Sequence, residues 1–153
     1  MSEAVTVETG EQQRDGMRTV RLRIPAKAEY VALARLALTG LAELTAMTDE
    51  TLGELKLALT EAVSNSVRHA YGGRDGHVEI VYELTGHELR IEVVDDGTGF
   101  DPARPQALEG EDLAEGGLGI AIIRTIADEL EIELEPGARG SRLRFVKRLH
   151  TGA

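Results

Sequence analysis

A change of hydrophobic period near residue 75 constrains this chain more than any other feature. Before it, Leu52, Leu55, Leu59, Ala62, Val63 and Ser66 recur at helical spacing until Gly72-Gly73. After it, HVEIVYEL (77–84) and ELRIEVVDD (88–96) alternate apolar and polar residues. The first pattern buries one stripe of a helix, the second one face of a strand. Thr48-Asp49 supplies an N-cap for the helix, and Thr85-Gly86-His87 is short enough to close the two strands as an antiparallel hairpin. Upstream, MRTVRLRI (17–24) alternates as a half-buried strand and stops at Pro25. A first helix is expected over 26–47, with Val31, Ala34, Leu38, Leu41 and Leu44 on one side. Residues 1–16 show no period and are expected to form a mobile tail, leaving 17–150 as a single domain. Downstream, residues 100–115 hold Pro102, Pro105, Gly110 and the acids Asp101, Glu109, Glu111, Asp112 and Glu115, the composition of a loop. LGIAIIRTIADEL (118–130) reads as a helix opening directly from Gly116-Gly117, with Ile120, Ile123, Ile126, Ala127 and Leu130 inward. The segments EIELEP and GSRLRFVKRL then form a closing hairpin around Pro136-Gly137.

Helices in this order are clustered instead of alternating with every strand, which predicts an α+β fold: a mixed β-sheet with helices packed on one face. The chain's 153 residues suffice for one core. That core is built from Leu, Ile, Val and Ala, since the chain has two Phe, three Tyr and no Trp. A net charge of −10 repels a phosphate backbone, so no direct contact with nucleic acid is expected. The absence of Cys removes disulfides, thiolate zinc sites and thiol nucleophiles. The polar, acidic opening MSEAVTVETGEQQRDG has no signal-peptide pattern, and no apolar run approaches the ~18 residues a membrane span requires. A cytoplasmic protein without membrane attachment is expected.

Three constellations can carry chemistry. Glu61, Asn65 and His69 follow one another at four-residue spacing, which stacks them on one helix face. Taken alone, that row is either a groove lined by an acid, an amide and an imidazole, or a solvated face with a Glu–Asn contact. VVDDGTGFD (93–101) is a strand ending in acids followed by Gly97 and Gly99, where backbone can approach a planar ligand. Asp95 is then placed to accept a hydrogen bond from an exocyclic amine, though a plain tight turn has the same composition. EGGLGIAII (115–123) sets glycines before a helix, where free N–H groups and the positive end of the dipole favour phosphate. A glycine-rich helix entry is the alternative. Neither GxGxxG nor a Walker motif is present, so phosphate has no other glycine loop to use.

The order of these motifs, acid and amide on a helix, D-x-G-x-G after a strand, G-G-L-G before a helix, resembles the GHKL superfamily of gyrase-type ATPases, histidine kinases and mismatch-repair ATPases. The likeness covers residues 26–148 and implies a Bergerat (histidine-kinase-like ATPase) two-layer sandwich binding ATP and Mg. By position, it implies that Asn65 in LTEAVSNSVRHAY ligates Mg, with His69 in the same cofactor-binding segment. It also implies that Asp95 binds the adenine amino group, that Gly97 and Gly99 lie against the base, and that Gly117, Leu118 and Gly119 lie near phosphate beneath a lid formed by residues 100–115. Within the superfamily, TEAVSNSVRHAY and EGGLGIAIIRTIADEL are most similar to the small anti-sigma-factor serine/threonine kinases of bacteria. That likeness implies Glu61 as the base toward a protein serine and Arg35, in ALARLAL, near the γ-phosphate; a surface arginine interrupting an apolar helix fits the same residue. Two positions depart from the pattern. Glu115-Gly116 stands where certain relatives have Arg, and Ser141 stands where many have Thr; its hydroxyl can still serve the adenine pocket through water.

The resemblance implies a kinase that phosphorylates a serine on an anti-anti-sigma factor and binds a sigma factor, as a homodimer. A nucleotide-dependent module that sequesters the sigma factor without transferring phosphate is the alternative.

Overall fold

A computed structural model of the chain describes residues 5–12, 16–45, 47–70, 76–95, 111–134 and 141–149. Strands β1 (Thr6–Gln12) and β2 (Met17–Pro25) come first, then a 3₁₀ turn (Ala28–Tyr30) and helices α1 (Val31–Ala42) and α2 (Asp49–Ala70). Next are β3 (His77–Leu84), β4 (Glu88–Asp95), helix α3 (Glu111–Ile126), β5 (Glu129–Leu134) and β6 (Ser141–Arg148). The strands form one sheet in the order β1-β2-β3-β4-β6-β5. The α+β expectation stands; the sheet, expected to be mixed, is antiparallel in all its described pairings.

Alternation decides which face is covered. Leu22 pairs with Ile80 and Ile24 with Val78, while Ile91 faces Tyr82 on one side and Phe145 on the other. All these side chains are buried in one cluster with Ala34 and Leu38 of α1 and Leu55, Leu59, Ala62 and Val63 of α2. The opposite face carries cross-strand ion pairs, Arg21–Glu79, Arg142–Glu92 and Arg144–Glu131. Helix α2 packs between α1 and α3 and touches β3, β4 and β6. Tyr82 crosses the two layers: its phenol is buried and donates a 2.8 Å hydrogen bond to the Ala34 carbonyl.

Four sequence expectations change. Residues 6–12, read as part of a mobile tail, pair with β2 from Thr6↔Arg23 to Gln12↔Met17. The ladder holds β1 through its backbone, and Val5 and Val7 stay 40% and 60% exposed, so no apolar alternation announced it. The first helix is shorter than 26–47, and Leu44, expected inward, lies past its end and is 55% exposed. Helix α3 begins at Glu111 instead of residue 118, so Gly116 and Gly117 lie inside it and not before it. Each glycine inside the helix costs about 1 kcal/mol relative to alanine, so packing has to hold this stretch helical. The same helix ends at Ile126, where Lys147 Nζ donates to the last carbonyl, and Leu130 pairs with Phe145 inside β5.

Candidate functional site

Helix α2 is the frame of the site. Its start is fixed by Thr48, whose Oγ1 accepts the Thr51 N–H at 3.1 Å, satisfying one of the free donors of the first turn. The stripe Leu55, Leu59, Ala62, Val63 and Ser66 is buried. Glu61 and Asn65 are half-buried at the edge of that stripe and share one face of the helix. His69 belongs to the same helix, but its side chain lies outside the described residues.

The two flanks of α2 differ. On one, Arg35 of α1 donates from Nη1 to Thr60 Oγ1 at 3.3 Å, and Thr60 donates in turn to the Lys56 carbonyl at 2.7 Å. The hydroxyl thus uses its one proton within the helix and a lone pair on the guanidinium. On the other flank, Glu61 meets α3: a Cβ placed on buried Gly119 would come within 2.8 Å of Glu61 Oε2. Thr60 and Glu61 are consecutive, hence about 100° apart around the helix. Arg35 and Glu61, expected to act on one phosphate, are therefore set on neighbouring flanks of α2. Thr60 had no role in the sequence reading; a mid-helix threonine beside Glu61 carries no signal until α1 is packed against it.

Asp95 closes β4. It is 5% exposed and, with Ser66, one of two buried polar residues among those described. A buried carboxylate needs hydrogen bonds to offset its lost hydration. Ser141, directly opposite Asp95 in the β4–β6 register, donates its hydroxyl to Oδ2 at 2.5 Å. Ser141, expected to reach the pocket through water, instead grips the carboxylate directly. Gly97 and Gly99 lie outside the described residues. Gly117, Leu118 and Gly119 are brought together on α3, with Leu118 64% exposed and Gly119 buried. Because all three are inside the helix, their N–H groups are not the free donors of a helix start, which corrects the expectation of a glycine doorway opening onto phosphate.

Among the described residues no group of three His, Cys, Asp or Glu side chains is placed to hold a metal. Asn65, half-buried on α2, offers an amide oxygen of the kind a hard cation takes.

Comparisons with known proteins identify the family. Residues 24–147 match the histidine kinase-like ATPase domain family. Serine-protein kinase RsbW of Listeria monocytogenes is 37% identical over 127 residues, covering 77% of this chain and 81% of its own. The proteins of that name from Bacillus pumilus and Staphylococcus aureus are 36% and 33% identical, each over 84% of this chain and over 86% and 87% of their own. The chain therefore belongs to the family of histidine kinase-like ATPase domains in which the serine-protein kinases RsbW are found.

Proposed function

We propose that this chain is an ATP-dependent serine-protein kinase that phosphorylates a serine on an anti-anti-sigma protein and, between rounds of transfer, sequesters a sigma factor. The observation that carries this reading is the placement of Glu61 and Asn65 on one half-buried face of α2, with buried Asp95, bonded to Ser141, at the end of β4, an element on which α2 packs.

Asp95, oriented by Ser141, accepts a hydrogen bond from the adenine amino group, the contact that selects adenine over guanine. Gly97 and Gly99 leave room for the base. Asn65 would hold Mg, which would neutralise charge on the phosphates. Glu61 accepts the proton of the incoming serine hydroxyl; the serine oxygen forms its bond to the γ-phosphorus as the bridging P–O bond breaks and ADP leaves. Arg35 has to release Thr60 to reach charge developing on the transferred group. A guanidinium that stays on the neighbouring flank of α2 favours the second reading, a nucleotide-dependent sequestering module without transfer. For Gly117 and Leu118 to offer N–H groups to phosphate, the first turns of α3 must unwind. The reading includes a homodimer working in the cytoplasm without nucleic acid, for which the net charge of −10 is the supporting feature on the last point.

The test uses labelled ATP, Mg and the anti-anti-sigma protein of the same bacterium. Label on a serine supports the kinase; nucleotide-dependent binding without label supports the module. Glu61→Gln is expected to keep Mg-ADP affinity while transfer falls by about 10²-fold or more, the usual scale for a lost general base. Unchanged phosphorylation by that variant removes the base assignment.

A further inference from the structure

At Gly119, α3 lies against the Glu61 side chain. A Cβ built on it would lie 2.8 Å from Glu61 Oε2, closer than real Cβ atoms approach, yet 3.8 Å from Glu61 Cβ and Cδ, which is ordinary contact. A methyl group here would push the tip of the carboxylate aside and leave the rest of the contact intact. Among the helical glycines whose surroundings are described, the fit is particular to this one: Gly40 in α1 and Gly53 in α2 have nothing within 4 Å of the corresponding point. Glycine inside a helix is otherwise unfavourable relative to alanine, so the bare backbone at 119 needs a reason in packing. Glu61 supplies it.

We propose that Gly119 is a positioning residue for phosphoryl transfer: its missing side chain forms the seat that keeps the Glu61 carboxylate against α3, on the face of α2 shared with Asn65. This rests on the reading of Glu61 as the base. A glutamate has three rotatable side-chain bonds, and a base must lie within about 2.6–3.2 Å of the proton it takes. Against the bare backbone of α3, the carboxylate occupies room that a side chain at 119 would take. Filling the seat turns it away, and because the displaced atom is the free end of a flexible side chain, the fold absorbs the change while the chemistry does not.

Four proteins are compared with the parent chain: Gly119→Ala, Glu61→Gln, the double variant, and Gly53→Ala as a glycine-to-alanine control with open space around it. Mg-ADP binding is read by calorimetry, and kcat and KM for ATP are read by serine phosphorylation of the anti-anti-sigma protein. Gly119→Ala is expected to bind Mg-ADP within about twofold of the parent and to lose at least about tenfold in kcat with little change in KM, the pattern of a misplaced reacting group. In the Glu61→Gln background it should cause no further loss, and Gly53→Ala should match the parent. Full transfer by Gly119→Ala beside an inactive Glu61→Gln overturns the seat and leaves the base standing, whereas a fully active Glu61→Gln overturns the base itself. Loss of Mg-ADP affinity in Gly119→Ala, or a loss that multiplies that of Glu61→Gln, assigns Gly119 to the nucleotide and also overturns the proposal. If Gly119→Ala lowers the urea unfolding midpoint, Glu61→Ala in the same chain should restore it; failure to do so puts the strain elsewhere and counts against the seat.

Discussion

Tyr82 shows how one residue can join layers and set a pH limit. Its ring is fully buried and its hydroxyl donates to the Ala34 carbonyl, so β3 and α1 are fixed to each other at that point. Burial holds the phenol's pKa well above its ordinary value of about 10. The folded protein therefore keeps a proton that the unfolded chain releases. Its contribution is complete below pH ~10 and is lost as pH rises beyond it, by up to about 1.4 kcal/mol per pH unit. Tyr82→Phe is expected to cost about 1 kcal/mol at neutral pH, from the lost hydrogen bond, and to flatten this alkaline decline. Urea unfolding of both proteins between pH 8 and 11.5 checks it; parallel curves would mean that another group sets the limit. At the same scale, Glu61, Asn65 and Asp95 were legible in the sequence as candidates because each stands in a short motif with a chemical meaning. The Asp95–Ser141 bond and the Arg35–Thr60 bond were not, since their partners are 46 and 25 residues apart.

Among the elements, α2 and the β3–β4 hairpin were readable almost to the residue. Each has a clear period and a side chain that fixes a boundary: Thr48 starts α2, and Thr85 Oγ1 accepts the N–H groups of His87 and Glu88 in the hairpin loop. Thr48→Ala should lower stability by about 1 kcal/mol, the usual cost of a lost N-cap, without changing Mg-ADP affinity, since the cap lies more than three turns from Glu61. Thermal unfolding and calorimetry read the two effects separately, and an unchanged midpoint would mean that the cap is not formed in solution. Helix α3 was less readable. Gly116, Gly117 and Gly119 look locally like a helix start, and only the packing of α3 against α2 shows why at least one of them sits well inside the helix.

For the whole molecule, the sheet is asymmetric: β3 and β4 are central and buried, whereas β1 is an edge whose described side chains are exposed. Removing residues 1–12 should therefore lower stability by only about 1–3 kcal/mol, because solvent-facing ladder bonds are largely offset by the entropy of ordering the strand. Mg-ADP affinity should stay within about twofold, a difference below 1 kcal/mol. The new edge, β2, presents Arg18, Arg21 and Arg23, charges that discourage strand-to-strand association. Sedimentation and calorimetry test this, and lost nucleotide binding would show that β1 supports the site. By itself the sequence determined the elements that bury a face, their order, and which residues are candidates for chemistry, because hydrophobic period and motif spacing act over a few neighbouring residues. Tertiary structure alone decided that β1 joins the sheet, that α3 runs through its glycines, that Arg35 and Glu61 occupy different flanks of α2, and that Gly119 receives the carboxylate. Those outcomes depend on which surfaces meet when segments distant along the chain pack together, and close packing settles that across space.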